Sequence, residues 1–255
     1  MTGTIDLVAI VLTLNEGEHL PGCLASLRLL TERVIVLDSG SSDATREIAT
    51  AFGTEVHTRG FDGYANQRNA ALMLAGEVEW VLFLDADERI TQAGIDEIRG
   101  AVATAEPDIA AFWLPRRNVF FGREIRGGGW WPDEQARLLR RGHAHYDPSR
   151  QVHEVVIVDG AIQRLREPMI HLNYTTRREF IAKQRAYTNQ RVEQLGADMI
   201  PRRRAYLGAP ARELWRRFVG LRGYRDGPTG LFLAGVLAVE EVRAVWLLRR
   251  KVRPA

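Results

Sequence analysis

The chain is poor in cysteine and has no long hydrophobic run. Cys23 is the single cysteine among 255 residues, which excludes an internal disulfide and fits a reducing compartment. The charge-free stretch of the C-terminal third covers only residues 228–239, whereas a bilayer-spanning helix needs about 20 apolar residues. The first apolar run, residues 7–14, lacks a basic flank and is interpreted as a core strand, not as a signal peptide. A G-x-G-x-x-G pattern is also missing, which argues against a nicotinamide enzyme.

What the chain does contain is an ordinary globular composition with an uneven charge distribution. Hydrophobic residues make up 45% and charged residues 26% of the chain, as in soluble proteins that bury a sizeable core. Residues 1–176 contain 17 Lys and Arg against 25 Asp and Glu, whereas residues 177–255 contain 18 against 7. This asymmetry indicates that the C-terminal third faces an anionic surface, either a membrane or a nucleic acid.

Strand and helix patterns alternate along the first 110 residues. The sequence predicts strands over residues 7–14, 33–37, 55–58 and 80–84, and helices over residues 20–30, 43–52, 63–75 and 92–103. Pro21 begins the first helix, and Ser41, Ser42 or Asp43 is expected to cap the second, which ends at Gly53. Alternation at this spacing predicts an α/β fold with a mostly parallel, doubly wound sheet and helices on both faces.

Polar clusters follow three of the predicted strands. Asp85 and Asp87 come directly after the apolar run 80–84, Asp38 opens a Gly/Ser turn, and Asn15 follows the first strand. Because ligands of such sheets bind outside the carboxyl ends of the strands, we expect the three clusters to share one rim. Two carboxylates one residue apart can bind a hard divalent cation and leave coordination positions for phosphate. The alternatives are an acidic strand end without a ligand and, for Asp38, an ordinary helix cap.

After about residue 109 the pattern changes to shorter alternating runs joined by Gly-rich and aromatic loops. Short strands are predicted over residues 111–114, 137–139 and 151–158, with a loop over residues 127–132. Beyond Pro168 the chain is predicted to be helical, with helices over residues 177–195 and 230–250 and an arginine-rich stretch from Pro201.

These segments resemble the glycosyltransferases of family 2, which have the GT-A (Rossmann-like) fold. Four stretches carry the resemblance, namely residues 11–16, 36–43, 63–69 and 84–87. In the family, their counterparts form the two nucleotide loops, the polar start of a helix near the uracil, and the metal-binding acidic D-x-D pair. The resemblance implies that the nucleotide is bound by Thr13, Asn15, Glu16, Asp38, Gln67, Arg68 and Asp85. It also implies that Asp87 and Asp85 hold Mg²⁺ or Mn²⁺.

A narrower resemblance extends over nearly the whole chain. Residues 131–133, 135–141, 152–154 and 223–230 are similar to lipopolysaccharide core β-1,4-glucosyltransferases that act on heptose. We therefore predict a catalytic domain over residues 1–176, with a nucleotide-sugar half (1–108) and an acceptor half (109–176), followed by a helical extension over residues 177–255. The implied activity moves a hexose such as glucose from a nucleotide sugar, expected to be UDP-linked, to a hydroxyl of a membrane glycolipid or lipopolysaccharide-core acceptor in cell-envelope biogenesis.

Such a transfer makes two chemical demands on the chain. The departing diphosphate gains charge, which a divalent ion stabilises as a Lewis acid. The acceptor hydroxyl must lose its proton, and a one-step, inverting displacement needs a single base for this. Glu154, which follows His153 near the start of a predicted strand, is the candidate base, and Asp133 is the second choice. A surface glutamate is the alternative for Glu154, because the Glu-Asp pair that the broader family often has at this stage is absent.

Five further side chains are candidates for acceptor, phosphate or metal binding. His171 is a candidate third metal ligand and His153 a weaker one, since imidazole is an acceptable ligand. Arg137, with the neighbouring Arg140 and Arg141, can clamp a diphosphate, although a solvated basic strand edge is equally compatible with the sequence. Trp130 and Trp131 can stack on a sugar ring or pack in the core.

The C-terminal extension combines an apolar helical face with arginine clusters. One face of the last helix is predicted to contain Leu231, Gly235, Ala238, Val242, Val245 and Trp246. The other face is predicted to contain Glu240, Glu241 and Arg243. Basic clusters flank this helix at residues 202–204, 216–217 and 249–251. The pattern predicts a helix that lies in an anionic membrane interface, so that the protein is cytoplasmic and peripheral on the inner face of the cell membrane. The alternative is packing on its own domain or on a second subunit of a homo-oligomer.

Two other functional classes compete with a sugar transferase. A nucleotidyltransferase also needs paired carboxylates on an α/β sheet, but its first loop is usually Gly-rich and basic, whereas residues 13–16 are acidic. A non-enzymatic nucleic-acid-binding or membrane-binding module would use the basic tail. The tail has no helix-turn-helix or OB pattern, so no nucleic-acid partner is expected.

Overall fold

The structure is a computed structural model that describes residues 5–149, 156–195 and 205–251. The described residues form two compact units. The first contains those of Met1–Arg116 and Glu134–His171, and the second contains those of Arg117–Asp133 and Leu172–Ala255. The predicted domain boundaries at 108/109 and 176/177 remain predictions.

The first half of the chain alternates strands and helices as expected. Its elements are β1 (Leu7–Thr13), α1 (Leu20–Arg28), β2 (Val34–Asp38), α2 (Thr45–Ala51), β3 (Glu55–Thr58), α3 (Tyr64–Leu74), β4 (Trp80–Asp85), β5 (Glu88–Arg89) and α4 (Gln92–Thr104). Every residue of β2 is buried, as are the first five of β4, which explains why these strands are continuous apolar runs without alternation. The predicted strands and helices of this half are therefore confirmed.

The parallel part of the sheet places the polar strand ends on one side. The strand order is β3-β2-β1-β4, and all three pairings are parallel. The register sets Thr13 opposite Asp38 and Leu12 opposite Asp85. Because parallel strands present their carboxyl ends together, the three polar clusters meet at one rim, which we call the β1–β2–β4 rim.

The sheet has a core on each face. Side chains from one set of β1 residues, including Leu7 and Val11, pack with α1, α2 and α4. The alternate set, Val8 and Ile10, packs with α3. This two-sided packing confirms the prediction of an α/β fold with helices on both faces of a mostly parallel sheet.

The later strands add an antiparallel part. They are β6 (Ile109–Phe120), β7 (Arg123–Glu124), β8 (Glu134–Arg140), β9 (Ala144–Tyr146), β10 (Val156–Val158), β11 (Ala161–Arg164) and β12 (Met169–Tyr174). β8 lies antiparallel between β4 and β6. Its register sets Leu138 opposite Leu82, which brings Arg137 toward the carboxyl end of β4. The predicted strand 151–158 is confirmed over Val156–Val158, and residues 151–155 lie outside the described part.

The second unit consists mainly of helices. They are α5 (Arg177–Gln194), α6 (Ala205–Trp215), a π-helical turn (Arg216–Gly220), a 3₁₀ turn (Gly223–Asp226) and α7 (Gly227–Lys251). Aromatic rings form its core, with centroids 4.8 Å apart for Phe120 and Tyr174 and 5.0 Å apart for Tyr174 and Phe180.

Glycine is required where the backbones of this unit come closest. A Cβ at Gly230 would lie 1.9 Å from the carbonyl oxygen of Gly223, and one at Gly127 would lie 2.2 Å from that of Arg222. The carboxylate of Asp226 accepts hydrogen bonds of 2.8 Å from the amides of Arg126 and Gly127. The Asp-Gly segment 223–230 therefore holds the Gly127–Gly129 loop in place.

The predicted orientation of α7 is wrong in part. Ala238 and Val245, assigned to a single apolar face with Leu231 and Trp246, are buried, whereas Leu231 and Trp246 are exposed. Glu240, assigned to the polar face, is 5% exposed. The reason is that α7 has two apolar faces, so the helical period alone did not identify the packed one. Within the described ranges, no helix is long and apolar enough to cross a membrane.

Candidate active site

The end of β2 is organised by the buried carboxylate of Asp38. One oxygen accepts hydrogen bonds from the amides of Gly40 (3.1 Å) and Ser41 (2.9 Å), and the other from the hydroxyls of Thr13 (3.0 Å) and Ser41. Burial raises the pKa of Asp38, but these hydrogen bonds outweigh it and hold the pKa below its usual value. A carboxylate offers about four acceptor positions, so Asp38 must exchange one bond before it can accept from a nucleoside. Its predicted role in nucleoside binding remains a prediction.

The loop after β1 is tied to the loop after β2. The amide of Asn15 donates to the Ser41 hydroxyl, and its side-chain oxygen accepts from the amide of Ser42, both at 2.8 Å. The amide of Glu16 donates to the hydroxyl of Thr45 at 2.8 Å. Asn15 adopts a positive φ of 56°, a conformation that asparagine tolerates better than most residues. The two predicted nucleotide loops therefore form one connected surface.

The same bonds show which of the expected caps of α2 bonds to the helix start. α2 begins at Thr45, after Ala44, and the side chain of Asp43 accepts a hydrogen bond of 3.0 Å from the amide of Thr45. Its other oxygen accepts from the amide of Gly17 at 3.1 Å, whereas Ser41 and Ser42 bond to Asn15 in the neighbouring loop. Asp43 therefore bonds both to the first turn of α2 and to the loop after β1.

Gln67, at the start of α3, is 1% exposed and serves to join two loops. Its amide nitrogen donates to the Ser39 hydroxyl at 3.0 Å, and its oxygen accepts from Arg59 at 2.6 Å. Arg59 also contacts Asp62 at 2.6 Å. Gln67 therefore positions the loop after β2, and its predicted contact with the base remains a prediction.

The two acids after β4, Asp85 and Asp87, lie in different environments. Asp85 forms a bidentate pair with Arg137, with one N–O distance of 3.2 Å, and also lies 3.4 Å from Arg68. Arg137 is 4% exposed and donates a further hydrogen bond of 3.0 Å to Glu88, which is fully buried. Arg116 reaches the same Glu88 oxygen at 3.3 Å. We refer to these five residues as the Asp85–Arg137 network.

Opposite charges dominate the electrostatics of this network. Burial raises the pKa of Asp85, but the charges of Arg137 and Arg68 outweigh it and hold that pKa well below the usual range. Burial likewise lowers the pKa of Arg137, and the charges of Asp85 and Glu88 raise it further than burial lowers it. Asp85 and Arg137 are therefore ionised at neutral pH, and the guanidinium of Arg137 is occupied by carboxylates. Arg137 is thus not a solvated strand edge, and its predicted phosphate contact remains a prediction.

Asp87 is paired with a histidine. Its Oδ2 lies 3.2 Å from Nε2 of His171 on β12, and the side chains are 25% and 10% exposed. A short ladder between β5 and β12 sets His171 opposite Glu88, which brings the imidazole to the acidic segment. Among the residues that the structure describes, no three His, Cys, Asp or Glu side chains are grouped as a metal site. Asp87 and His171 therefore supply two possible metal donors.

The remaining candidate site residues lie in the second unit or outside the residues that the structure describes. Trp130 packs edge-on against Phe120 at 4.9 Å, with Arg217 over its ring at 5.6 Å, whereas Trp131 is 40% exposed. Asp133 accepts a hydrogen bond of 3.0 Å from Asn118, a fully buried residue. His153 and Glu154 lie outside the described residues, so the assignment of the base remains a prediction.

Sequence reasoning missed Glu88 and Arg116. Glu88 is the third acid within four residues at the end of a buried strand, and this density was a usable signal. Arg116 carried no such signal, because it lies 28 residues from Glu88 in the chain and meets it only through strand pairing.

Comparisons with known proteins show the family to which the chain belongs. The chain belongs to glycosyl transferase family 2, whose model matches residues 8–172. It is 27% identical to the lipopolysaccharide core biosynthesis glycosyltransferase LpsC of Rhizobium meliloti, over 94% of this chain and 93% of that protein. It is also 26% identical to an uncharacterized glycosyltransferase of Rickettsia conorii, over 75% of this chain and 71% of that protein. The family prediction is confirmed, and the chain is a glycosyltransferase.

One solved structure shares the fold over nearly the whole chain. The mannosyltransferase PcManGT of Pyrobaculum calidifontis, in complex with GDP-Man and Mn²⁺, aligns with a TM-score of 0.51 and 15% identity over 97% of this chain and 74% of that chain. Glucosyl-3-phosphoglycerate synthase of Mycobacterium tuberculosis aligns with a TM-score of 0.38 and 23% identity over 46% of this chain. The present chain spans 44% of the length of that synthase. The alignment with the mannosyltransferase confirms the GT-A fold class.

Proposed function

We propose that the protein is an inverting glycosyltransferase that moves a hexose, such as glucose, from a UDP-sugar to a hydroxyl of a lipid-linked, lipopolysaccharide-core-type acceptor. The observation that carries the proposal is the β1–β2–β4 rim, where two joined polar loops lie beside the acidic segment Asp85–Asp87. Membership of family 2 supports sugar transfer over nucleotidyl transfer and over a non-enzymatic binding module.

The donor set at Asp87 fits Mg²⁺ or Mn²⁺. A carboxylate and an imidazole 3.2 Å apart are acceptable ligands, and such ions usually complete their shell with water and substrate phosphate oxygens. A divalent ion bound there supplies Lewis-acid stabilisation of the charge that develops on the departing diphosphate. The Mn²⁺ and GDP-Man of the mannosyltransferase support a metal and a nucleotide sugar, although its nucleotide is GDP and not the UDP proposed here.

Each step of the proposed transfer is assigned to particular residues of the chain. The loops around Asn15, Glu16 and Asp38 orient the nucleoside, and the Asp85–Arg137 network holds the backbone before Asp87. Glu154, or Asp133 in its place, accepts the proton of the acceptor hydroxyl. The acceptor oxygen forms a bond to the anomeric carbon while the bond to the diphosphate oxygen breaks, and its electron pair leaves on the nucleoside diphosphate. One displacement of this kind inverts the anomeric configuration.

Two observations support the proposed acceptor and location. LpsC is named for lipopolysaccharide core biosynthesis, and residues 177–255 have a charge balance of +11. Both support a lipid-linked acceptor reached by a cytoplasmic, peripheral protein on the inner face of the membrane, with His153, Trp130 and Trp131 on the acceptor side. Assembly into a homo-oligomer is compatible with this proposal.

Substitution of Asp87 tests the site directly. We expect Asp87→Asn to reduce Mn²⁺-dependent release of UDP from UDP-glucose by roughly 100-fold or more, because the cation contributes several kcal/mol to charge stabilisation. His171→Gln should weaken the apparent affinity for Mn²⁺. The matched control is Asp96→Asn, an exposed acid on α4, which should change neither. Undiminished turnover in Asp87→Asn would remove the metal assignment.

The base requires a separate comparison. We expect Glu154→Gln to reduce transfer by about 10²–10⁴-fold, as for loss of a general base, while UDP still protects the protein against heat. Asp133→Asn should leave transfer largely intact. If the two variants exchange these behaviours, Asp133 is the base.

A further inference from the structure

Helix α7 has two apolar faces, and the second unit covers only one of them. The packed face contains Leu233, Ala234, Ala244 and Leu248, each at most 9% exposed. The opposite face carries four exposed apolar side chains, namely Leu231 (51%), Val239 (63%), Val242 (36%) and Trp246 (45%). We call these four residues the α7 stripe. They extend over 16 residues, and the 15 rises between the first and the last give about 22 Å of helix at 1.5 Å per residue.

The acids of α7 are kept away from the stripe. Glu240 is 5% exposed, with Arg243 and Arg185 at 3.6 and 3.9 Å. Glu241 forms an ion pair of 2.7 Å with Arg191 on α5. Both negative charges of the helix are therefore neutralised on its packed side, and an anionic surface would meet no unpaired carboxylate of α7 at the stripe.

Positive charge is concentrated beside the stripe. Arg249, Arg250 and Lys251 form the last turn of α7, and the guanidinium of Arg250 lies 4.7 Å from the ring centroid of Trp246. A tryptophan next to arginine is the pairing expected at a lipid interface, where the ring enters the headgroup layer and the cation meets phosphate.

A second element of the same unit repeats this composition. The segment 212–225 contains five arginines and one glutamate, and Glu213 is paired with Arg216 and Arg217 at 2.7 and 2.9 Å. Its most exposed apolar side chains are Trp215 (65%) and Tyr224 (52%). We call it the α6–α7 elbow.

We propose that the α7 stripe docks on the surface of an anionic lipid bilayer, with the basic last turn of α7 and the elbow as its electrostatic anchors. The inference rests on the proposed lipid-linked acceptor, and it specifies which surface meets the lipid. Exposed apolar area rimmed by cations is typical of helices that lie in the interface plane. The helix lies on the bilayer without crossing it, because its charge-free stretch, residues 228–239, is shorter than the roughly 20 residues that a span needs.

Co-flotation with vesicles tests the proposal on the full chain. We expect binding to phosphatidylglycerol-containing vesicles, weaker binding to phosphatidylcholine alone, and loss of binding as salt is raised. The double variant Val239→Ser/Trp246→Ser should bind at least about tenfold more weakly, since burial of one large apolar side chain alone contributes that much. Arg249→Gln/Arg250→Gln should weaken binding to anionic vesicles only. Both pairs are exposed or half-buried, so the variants should fold.

The matched control carries the same kind of substitution on the first unit. Leu29→Ser/Met73→Ser replaces side chains that are 59% and 79% exposed, and it should float as the unchanged chain does. Equal flotation of the stripe variant and this control would overturn the proposal. The proposal would also be overturned if the chain stays in solution as a dimer and the Val239→Ser/Trp246→Ser substitutions dissociate that dimer. The stripe would then be a subunit interface. Release of UDP from UDP-glucose, measured without vesicles, separates these failures from failure of the proposed function.

Discussion

Arg137 offers the sharpest test of how the rim is held together. Arg137 is 4% exposed, and its guanidinium is shared between Asp85 and the fully buried Glu88. We expect Arg137→Met to lower the free energy of unfolding by roughly 3–5 kcal/mol, because it leaves a buried carboxylate short of its main partner. In a chain of this size that loss corresponds to a decrease in Tm of about 6–20 °C. Urea unfolding followed by circular dichroism measures it, with an unchanged m-value as the sign that the same transition is observed.

Two companion variants make the Arg137 measurement decisive. Arg164→Met removes an arginine that is 70% exposed and lies 3.2 Å from Glu134, and such surface pairs contribute at most about 1 kcal/mol. Adding Glu88→Gln to Arg137→Met should restore part of the lost stability, because it removes the stranded charge. A cost no larger than that of Arg164→Met, or a double variant as unstable as the sum of the two single variants, would refute the reasoning.

Two further expectations concern charge in each unit. Because the folded chain holds the pKa of Asp85 below its usual value, the ionised form stabilises the fold above the ordinary aspartate pKa of about 3.9, and this contribution is lost as the pH falls further. Stability measured between pH 5 and pH 2 should therefore fall less steeply in Arg137→Met than in the unchanged chain, and equal slopes would contradict the assignment. Glu240 makes no hydrogen bond through its buried Oε2, so Glu240→Leu should leave the free energy of unfolding unchanged or raise it by about 1–4 kcal/mol. A clear loss of stability in urea unfolding would contradict this expectation and show that Arg185 and Arg243, at 3.9 and 3.6 Å, stabilise the carboxylate of Glu240.

Much of the fold could be predicted because single stretches of sequence carried enough information. The run 80–84 reads as a fully buried strand, and the carboxyl ends of parallel strands share a rim wherever the helices lie. The placement of Asp38 and Asp87 at that rim follows from these two facts alone. The broad location of the site could therefore be predicted from the sequence.

The partners of the site residues could not be predicted. Asp85 and Arg137 lie 52 residues apart in the chain, and they meet only because β8 pairs with β4 in one particular register. A shift of one residue would turn Arg137 to the other face of the sheet. The orientation of α7 failed for a different reason, since both of its faces are apolar and only the positions of α5 and α6 decide which is covered.

The charge count at the rim has a consequence for how the donor enters. In the Asp85–Arg137 network, three guanidinium groups face two carboxylates, so adding Asp87 brings the formal charge of these six side chains to zero. A bare divalent cation gains little from such a neutral surface, whereas a cation already chelated by a diphosphate brings further oxygen ligands of its own. Mn²⁺ and the sugar nucleotide should therefore arrive as one complex, and titration with Mn²⁺ alone should give far weaker binding than titration in the presence of UDP.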